Sequence, residues 1–439
     1  MRIAVIGTGY LGAVHAACMA SQGLDVVGVD ADPDKVAALA SGSVPFYEPG
    51  LEELLATALA TGRLQFTTDF AAAATADVHF VCVGTPQRVG ENAADTSFVF
   101  AAARSLAKNV KADALVVGKS TVPVGTAAQI QRILSTEAGH EVRLAWNPEF
   151  LREGLAIEDT LHPDRLVYGV SGPTGTDDVA LLDQVYAPQL GAGTPRIVVD
   201  YATAELVKVS ANAFLATKIS FINAMAEVCE TAGADVVALA DAIGMDPRIG
   251  RRFLNAGLGF GGGCLPKDIR GFMARAGELG ADQALTFLRE VDAINMRRRA
   301  RMVDLARDEC GGSLVSKRLA VLGAAFKPHS DDIRDSPALD VAVAIQKSGG
   351  VVTVHDPKAI GNAKRAHPEL SYADDIDLAC READVVLHLT EWPVYREIDP
   401  AQLATVVARA CVIDGRNALD AVRWRSAGWT YRALGRPRA

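Results

Sequence analysis

The chain has 439 residues, 49% hydrophobic and 22% charged, a composition typical of a soluble globular protein with two or three domains. Its formal net charge of −9 argues against a protein that binds nucleic acid or an anionic membrane surface in general. The seven cysteines are scattered without a CxxC pair, a pattern that indicates neither a disulfide framework nor a metal site.

The first predicted elements are a strand, a glycine-rich turn, a helix and a second strand. Residues 2–6 form an apolar run of strand type that leads into the turn at 7–12. An alanine-rich helix is predicted over 13–22, and a strand over 26–29 ends at Asp30. No signal or transit pattern precedes the first strand, and no apolar run reaches about 18 residues. We therefore expect a reduced, cytoplasmic protein without a membrane partner.

The turn Gly7-Thr-Gly-Tyr-Leu-Gly12 has the spacing and the context of a dinucleotide site. Gly7 makes the tight turn, Gly9 lets the backbone approach a pyrophosphate, and Gly12 lets helix and strand pack closely. Asp30 would bind the ribose hydroxyls and repel a 2′-phosphate, so NAD is favoured over NADP. The alternative for Asp30 alone is a solvated acid at the end of a strand.

Three further apolar strands are predicted over 77–83, 114–118 and 142–145, each followed by small or polar residues. Any one of these strand ends alone would be an ordinary turn. Three in succession favour a ligand site, because an open α/β sheet binds its ligand at the carboxyl edge. The residues that follow the three strands are Gly84-Thr85-Pro86, Lys119-Ser120-Thr121 and Asn147-Pro148-Glu149.

A long helix is predicted over 201–232, which contains no glycine or proline, and a second helical segment over 282–308. Lys208 and Asn212 are four residues apart in a mostly apolar part of the first helix, so they share one face. Polar groups on such a face need partners. The alternative is a lysine that extends to solvent beside a surface asparagine.

Between these helices lies the segment 259–268, Gly-Phe-Gly-Gly-Gly-Cys-Leu-Pro-Lys-Asp. Its glycines permit positive φ angles and a close approach of the backbone to a ligand. Lys267 and Asp268 place an amine and a carboxylate near the sulfur of Cys264, and a nearby cation favours the nucleophilic thiolate. The alternative is a glycine turn with a small buried cysteine.

The last third of the chain predicts a second α/β unit, with strands over 319–322, 351–355, 384–389 and 412–414. Ser336 is a candidate N-cap with Pro337 at the first helical position. A second dinucleotide is not expected because the GxGxxG pattern is missing. The loop residues Lys327, Arg334 and Arg416 suit a phosphate-bearing ligand.

The fold class predicted is therefore α/β, with two doubly wound Rossmann-like domains joined by a central helical segment. We place the first domain at residues 1–200, the central segment with the cysteine loop at 201–310, and the second α/β domain at 311–439.

A thiol near a nicotinamide site suggests more than the oxidation of an alcohol. A thiol can add to an aldehyde and give a thiohemiacetal, which loses a hydride to become a thioester that water then hydrolyses. Lys208 and Asn212 could stabilise the oxyanion, and a carboxylate could activate the water.

The chain resembles the UDP-glucose/GDP-mannose dehydrogenase family over nearly its whole length. The motifs that carry the resemblance are Gly7-Thr-Gly-Tyr-Leu-Gly12, Tyr47-Glu-Pro-Gly-Leu51, Val83-Gly-Thr-Pro86, Ser120-Thr-Val-Pro-Val-Gly125, Asn147-Pro-Glu-Phe-Leu-Arg-Glu-Gly154, the Lys208/Asn212 helix, residues 259–268, Phe326-Lys-Pro328, Asp332-Ile-Arg-Asp-Ser-Pro337 and Thr390-Glu-Trp-Pro393.

The resemblance implies a four-electron oxidation of a sugar C6 alcohol to a carboxylate with two NAD per turnover and no metal. It implies that Cys264 is the nucleophile and that Lys208 and Asn212 hold the C6 oxygen. Asp268 would position a water and share a proton relay with Lys208. Glu149, with Thr121 near it, would act in proton transfer and in hydrolysis of the thioester.

The resemblance also implies two sets of binding residues. The NAD set is Gly7, Gly9, Tyr10, Leu11, Gly12, Asp30, Lys35, Thr85, Thr121, Glu153 and Arg334. The nucleotide-sugar set is Glu149, Phe150, Leu151, Lys208, Asn212, Arg248, Phe253, Asn255, Phe260, Gly261, Lys327 and Arg416.

Arg248 matches an arginine that reaches into a neighbouring subunit's site, which implies a homodimer with the helix from Tyr201 at its core. Within the family, the segments beginning at His162 and Met245 resemble the UDP-glucose branch, with residues 311–439 as the UDP-sugar domain. GDP-mannose and another UDP-hexose are the alternative substrates. A non-catalytic NAD-binding module is disfavoured because Cys264, Lys208 and Asp268 are all present.

Overall fold

The computed structural model describes residues 1–172 and 176–437, which divide into two compact units. The first unit comprises Met1–Ala211 and Arg270–Gly280, and the second comprises Asn212–Ile269 and the residues from Ala281 onward. Residues 173–175 and 438–439, which fall in the first and third predicted segments, lie outside the described residues.

The first unit is built on an eight-stranded sheet with the order β3-β2-β1-β4-β5-β6-β7-β8. Neighbouring strands are parallel except β6 and β7, which are antiparallel. The first six strands have the dinucleotide-binding order 3-2-1-4-5-6, with its switch point between β1 and β4. The strands are β1 Arg2–Ile6, β2 Asp25–Val29, β3 Leu64–Thr67, β4 Val78–Val81, β5 Leu115–Gly118, β6 Arg143–Trp146, β7 Leu166–Val170 and β8 Arg196–Val199.

Helices cover both faces of this sheet because its central strands are apolar on both sides. One apolar layer joins α1 to Phe80 and Tyr168, and the opposite layer joins α4 and α5 to Leu144 and Trp146. The helices are α1 Tyr10–Ser21, α2 Pro33–Ala40, α3 Leu51–Ala60, α4 Ser97–Ala107, α5 Thr126–Ala138, α6 Ala156–Leu161, α7 Thr176–Val185 and α8 Ala187–Gly191, with a 3₁₀ turn at Phe70–Ala73.

The second unit contains a six-stranded sheet with the order β11-β10-β9-β12-β13-β14, in which every neighbouring pair is parallel. This order repeats the 3-2-1-4-5-6 arrangement, so the predicted fold class with two doubly wound sheets is confirmed. The strands are β9 Arg318–Leu322, β10 Val351–His355, β11 Ser371–Tyr372, β12 Val385–His388, β13 Cys411–Asp414 and β14 Thr430–Ala433.

Helices of the chain's centre precede this sheet, and shorter helices flank its strands. Ser336 caps the helix that starts at Pro337 by accepting from the Leu339 N–H at 3.4 Å, as its sequence predicts. The helices are α9 Tyr201–Ala232, α10 Val236–Gly244, α11 Leu265–Glu278, α12 Phe287–Glu309, α13 Pro337–Lys347, α14 Ile360–Ala366, α15 Ile376–Cys380, α16 Pro393–Glu397, α17 Pro400–Leu403 and α18 Ala421–Ser426.

The long helix α9 has the predicted bounds, whereas the segment predicted as one helix over 282–308 is divided. A 3₁₀ turn at Asp282–Leu285 precedes α12, which begins at Phe287. No glycine or proline marks this break, so tertiary context overrides local helix propensity here. Within the described part of the chain, no helix has both the length and the apolar character needed to cross a membrane.

Candidate active site

The glycine turn between β1 and α1 has the form that a dinucleotide site requires. Gly7 has φ of +86°, and a Cβ built on Gly12 would lie 1.9 Å from the Gly7 carbonyl oxygen, so neither position accepts an ordinary side chain. A Cβ at Gly9 would meet no atom within 4 Å, which leaves open space where a pyrophosphate would approach the amides of α1. The turn therefore fits the cofactor that its sequence predicts.

Asp30 lies at the end of β2 and is held by groups of its own unit. Its carboxylate accepts from the Thr8 N–H at 2.7 Å, from the Asp32 N–H at 3.1 Å and from the Lys35 Nζ at 3.1 Å. Burial raises the pKa of Asp30, but these donors together outweigh it and hold the pKa below its usual value. The group is an ionised acceptor suited to ribose hydroxyls, and Lys35 lies against it as its counter-ion.

The three strand ends predicted to form a site belong to β4, β5 and β6, which are neighbours in the sheet. The Thr85 hydroxyl donates to the Thr121 carbonyl at 2.6 Å and so joins the first two ends. Lys119 joins the second to the third, since its Nζ donates to the Asn147 Oδ1 at 2.9 Å. Burial lowers the pKa of Lys119 to about 8. The sheet therefore brings Thr85, Thr121 and the Glu149 segment to one edge.

Glu149 forms an ion pair with Lys208 of α9. The Lys208 Nζ lies 2.9 Å from the Glu149 Oε1, and the two side chains are only 6% and 13% exposed. The other Glu149 oxygen accepts from the Leu151 N–H at 2.6 Å, and Lys208 lies 5.7 Å from the centre of the Phe150 ring. The polar face predicted for α9 thus has a partner, and the alternative of a solvated lysine does not hold.

In the second unit, Asp268 is the centre of a small polar cluster. Its carboxylate accepts from the Asn212 Nδ2 at 2.6 Å and from the Lys267 Nζ at 2.6 Å, and its side chain is 3% exposed. Asp268 lies in the first turn of α11, and its N–H donates to the Cys264 carbonyl at 2.9 Å. The cluster therefore lies one helical turn after Cys264, the residue that precedes α11.

Cys264 is that residue, and its side chain is exposed rather than buried. It immediately precedes the 14-residue helix α11. The amides and the dipole at a helix N-terminus favour a thiolate over a thiol. The alternative of a small buried core cysteine is therefore excluded for Cys264, whereas Cys18, Cys82, Cys229, Cys380 and Cys411 are buried.

The glycines ahead of Cys264 are required by packing within their own unit. A Cβ at Gly261 would lie 2.3 Å from the Asp335 carbonyl oxygen, and one at Gly263 would lie 2.2 Å from the Arg334 guanidinium carbon. Phe260, which comes just before Gly261, is held by Asn295, whose side chain accepts from the Phe260 N–H at 2.8 Å and donates to its carbonyl at 2.9 Å. The loop therefore has one defined path to Cys264.

The basic residues predicted for a phosphate-bearing ligand occupy different environments. Arg416 is partly buried, and it donates from Nε to the Leu389 carbonyl at 2.7 Å and from Nη1 to the Gly259 carbonyl at 2.8 Å. Arg334 forms a bidentate ion pair with Asp332, and its side chain is 65% exposed. Lys327 lies 5.3 Å from the centre of the Phe326 ring. Arg416 thus supports the glycine loop, and ligand contact by these three residues stays a prediction.

Arg248, Phe253 and Asn255 follow α10 and take no part in the Asp268 cluster. Arg248 is 86% exposed and pairs with Asp246 at 2.6 Å, which raises its pKa. Asn255 accepts from Arg251 at 2.8 Å. Phe253 is partly exposed with φ of +65°. These residues are presented outward from the unit that carries them.

Comparisons with known proteins identify the family of the chain. Residues 1–190 match the UDP-glucose/GDP-mannose dehydrogenase family, NAD binding domain, residues 202–297 match its central domain and residues 320–421 its UDP binding domain. The chain belongs to the UDP-glucose/GDP-mannose dehydrogenase family. NAD is therefore the cofactor of its first unit, and the turn at 7–12 with Asp30 fits it.

Relatives of this dehydrogenase match it from end to end. A UDP-glucose 6-dehydrogenase of Rhizobium meliloti (strain 1021) is 42% identical, with 100% of both chains covered. The UDP-glucose 6-dehydrogenase TuaD of Bacillus subtilis (strain 168) is 40% identical, with 99% of this chain and 93% of the relative covered. A UDP-glucose dehydrogenase structure from Pyrobaculum islandicum is 37% identical with a TM-score of 0.90, covering 99% of this chain and 98% of that one.

One residue near the Thr121 strand end is not singled out by the sequence of this dehydrogenase alone. Glu205 of α9 is buried and accepts from the Gly125 N–H at 2.7 Å and the Ala127 N–H at 2.6 Å, so it holds the loop that follows Thr121. Burial raises the pKa of Glu205, although the amides oppose the shift. The sequence does contain one indication of this role, because an acid in a mostly apolar helix needs a partner.

Proposed function

We propose that this dehydrogenase oxidises the C6 alcohol of UDP-glucose to a carboxylate, giving UDP-glucuronate, with two NAD consumed per turnover. The names of the two relatives at 42% and 40% identity support the choice of UDP-glucose within the family. The observation that carries the four-electron chemistry is Cys264, an exposed thiol at the start of a long helix, one turn before the buried Asp268.

Cys264 acts in the second half of the reaction. The first oxidation removes a hydride and a proton from the C6 alcohol and leaves an aldehyde. The Cys264 Sγ then bonds to the aldehyde carbon, and the aldehyde oxygen takes up a proton to give a thiohemiacetal. Loss of a second hydride and of that proton gives a thioester. Water then breaks the carbon–sulfur bond, which releases the carboxylate and restores the thiol.

Lys208 and Asn212 would hold the C6 oxygen throughout, since they lie one turn apart on the same face of α9. An ammonium and an amide N–H stabilise negative charge that develops on this oxygen. Asp268 accepts from Asn212 and Lys267. It would orient a water and share a proton relay with Lys208. Glu149, beside Lys208 and near the Thr121 strand end, serves the same proton transfers and the hydrolysis.

The residues that would bind NAD lie in the first unit. NAD, when bound, supplies the hydride acceptor for both oxidations. The amides that begin α1 would hold the pyrophosphate, and Asp30 would accept from the ribose hydroxyls. Thr85 and Thr121 lie at the neighbouring strand ends where the nicotinamide is expected. A cytoplasmic, reducing setting belongs to this proposal, because Cys264 acts only as a thiol.

We also propose that the chain is organised in three segments, residues 1–200, 201–310 and 311–439. The enzyme works as a homodimer with α9 at the subunit interface. Phe214, Phe221 and Val228 recur at intervals of seven along α9 and are exposed, as an interface stripe would be. Arg248 would complete the nucleotide-sugar site of the other subunit, a role that its outward, 86% exposed side chain supports.

The test is the amount of NADH formed per nucleotide sugar consumed, with UDP-glucose and GDP-mannose offered separately. We expect two NADH per UDP-glucose and little product from GDP-mannose. One NADH with an aldehyde as the product would remove Cys264 from catalysis. Two NADH per GDP-mannose would keep the chemistry and change the substrate.

A further inference from the structure

The motif Tyr47-Glu-Pro-Gly-Leu51 has no role in the reaction as described so far, yet its glutamate is one of the most enclosed acids of the first unit. Glu48 is only 5% exposed, although a carboxylate is costly to bury unless it is paired or hydrogen-bonded. It lies just before α3, which begins at Leu51. Its burial therefore calls for a set of donors.

Three donors from two distant segments meet at this carboxylate. The Gly154 N–H donates to one oxygen at 2.6 Å and the Ala156 N–H donates to the other at 2.7 Å. The Tyr10 hydroxyl also donates to Glu48, and it accepts from the Gly154 N–H at 3.1 Å. Burial and the neighbouring Glu48 raise the pKa of Tyr10, which keeps its hydroxyl protonated as a donor. Both carboxylate oxygens are thus in use.

The two amides belong to the end of the loop that carries catalytic and substrate residues. At its start, Glu149 is fixed by the Leu151 N–H and by Lys208. At its end, Gly154 has φ of +81°, and α6 begins at Ala156 without a side-chain cap from its own N-cap residue, Leu155. Glu48 supplies the missing acceptor for that helix start. The loop is therefore tied by polar contacts at both ends.

We propose that Glu48 is a positioning residue that sets the path of the loop from Glu149 to Gly154, and so orients Glu149, Phe150 and Leu151 toward the nucleotide sugar. The inference rests on the proposed function for its catalytic consequence, but not for the contact itself. It gives the 47–51 motif a part in the reaction, although none of its residues needs to touch the substrate.

Only a carboxylate of this length satisfies the donors. Glutamine has one acceptor oxygen and an NH₂ group, so one of the two backbone N–H groups would face another donor. Aspartate keeps the charge but is one methylene shorter, so it cannot hold both amides with the same backbone. Glu48→Gln should therefore release one end of the loop, and Glu48→Asp should have a smaller effect.

The first measurement is amide hydrogen exchange of the protein without substrate or cofactor. We expect exchange at Gly154 and Ala156 to be faster by about tenfold or more in Glu48→Gln. The matched control is Glu52→Gln, the same change at an exposed site in α3, which should leave exchange as in the wild type. Unchanged exchange in Glu48→Gln overturns the proposal whatever the enzyme's substrate is.

The second measurement is steady-state kinetics with UDP-glucose. For Glu48→Gln we expect kcat/KM for the sugar to fall about tenfold or more, while the Kd for NAD changes less than about threefold. A kcat/KM within about twofold of the Glu52→Gln control would overturn the positioning role of Glu48 in the reaction. Parallel losses of activity, NAD binding and thermal stability would also overturn it, since they would indicate a general scaffold role.

Two further outcomes are distinguishable. If Glu48→Gln does not fold, Glu48→Asp takes its place, and exchange and kcat/KM equal to the wild type would overturn the proposal. If the wild type forms no NADH from UDP-glucose, the proposed function fails, and the exchange measurement still decides whether Glu48 holds the loop.

Discussion

Replacing Asp30 with alanine tests the cofactor site most directly. A carboxylate and a 2′-phosphate oxygen about 4 Å apart repel each other by about 4 kcal/mol at an effective dielectric constant of about 20. Since about 1.4 kcal/mol corresponds to a factor of ten, Asp30 should disfavour NADP by about a thousandfold. Its low pKa keeps this charge at neutral pH. Asp30→Ala would also leave the Lys35 amine, now 3.1 Å from the carboxylate, available to a phosphate.

We therefore expect the ratio of kcat/KM for NAD to that for NADP to fall by about 100-fold to 1,000-fold in Asp30→Ala. The kcat/KM for NAD itself should fall by about tenfold or more, because the ribose loses a charged acceptor. The assay is the initial rate of reduced cofactor formation against cofactor concentration, with each cofactor in turn. Asp34→Ala, in the exposed first turn of α2, is the matched control and should keep the wild-type ratio.

An unchanged NAD-to-NADP ratio in folded Asp30→Ala would refute the reasoning and remove Asp30 from the ribose site. The Thr8 and Asp32 amides lose their acceptor in this variant, so thermal stability is measured alongside. If Asp30→Ala is poorly folded, Asp30→Asn keeps an acceptor oxygen without the charge. The same loss of discrimination is then expected, because it depends on charge rather than on shape.

Three other outcomes are expected. Cys264→Ser should abolish steady formation of the acid and leave NAD affinity unchanged in a binding titration; near-normal acid formation would contradict the thioester route. Arg248→Ala should lower activity, and mixing it with Cys264→Ser should restore part of it through hybrid dimers, whereas no recovery after proven subunit exchange would argue against an arginine supplied by the other subunit. Burial lowers the pKa of His79 to about 4, so the folded protein keeps a neutral ring while the unfolded chain binds a proton below about pH 6.5. The free energy of unfolding should therefore fall by about 2 kcal/mol between pH 7 and pH 5 because of His79. In His79→Phe, the fall in the free energy of unfolding over this pH range, measured by denaturant unfolding, should be smaller by about 2 kcal/mol.

Features that depend on neighbouring residues could be predicted from the sequence. The cofactor turn is specified by the spacing of three glycines after an apolar strand, because Gly12 must pack directly against the Gly7 carbonyl. Helix α9 was predicted with its observed bounds, since it contains no glycine or proline. The cap of α13 followed from Ser336 and Pro337 for the same local reason. The division of the segment 282–308 could not be predicted, because no residue there forbids a helix.

By itself, then, the sequence determined the fold class, the glycine turn of the NAD domain and the residue types of the candidate site. Only the tertiary structure decided which groups meet. Asn212 and Asp268 are 56 residues apart, and Glu48 and Gly154 are 106 apart, yet each pair is joined at 2.6 Å. Contacts of this kind depend on the path of the whole chain and on the need of each buried polar group for a partner, and no local pattern records either.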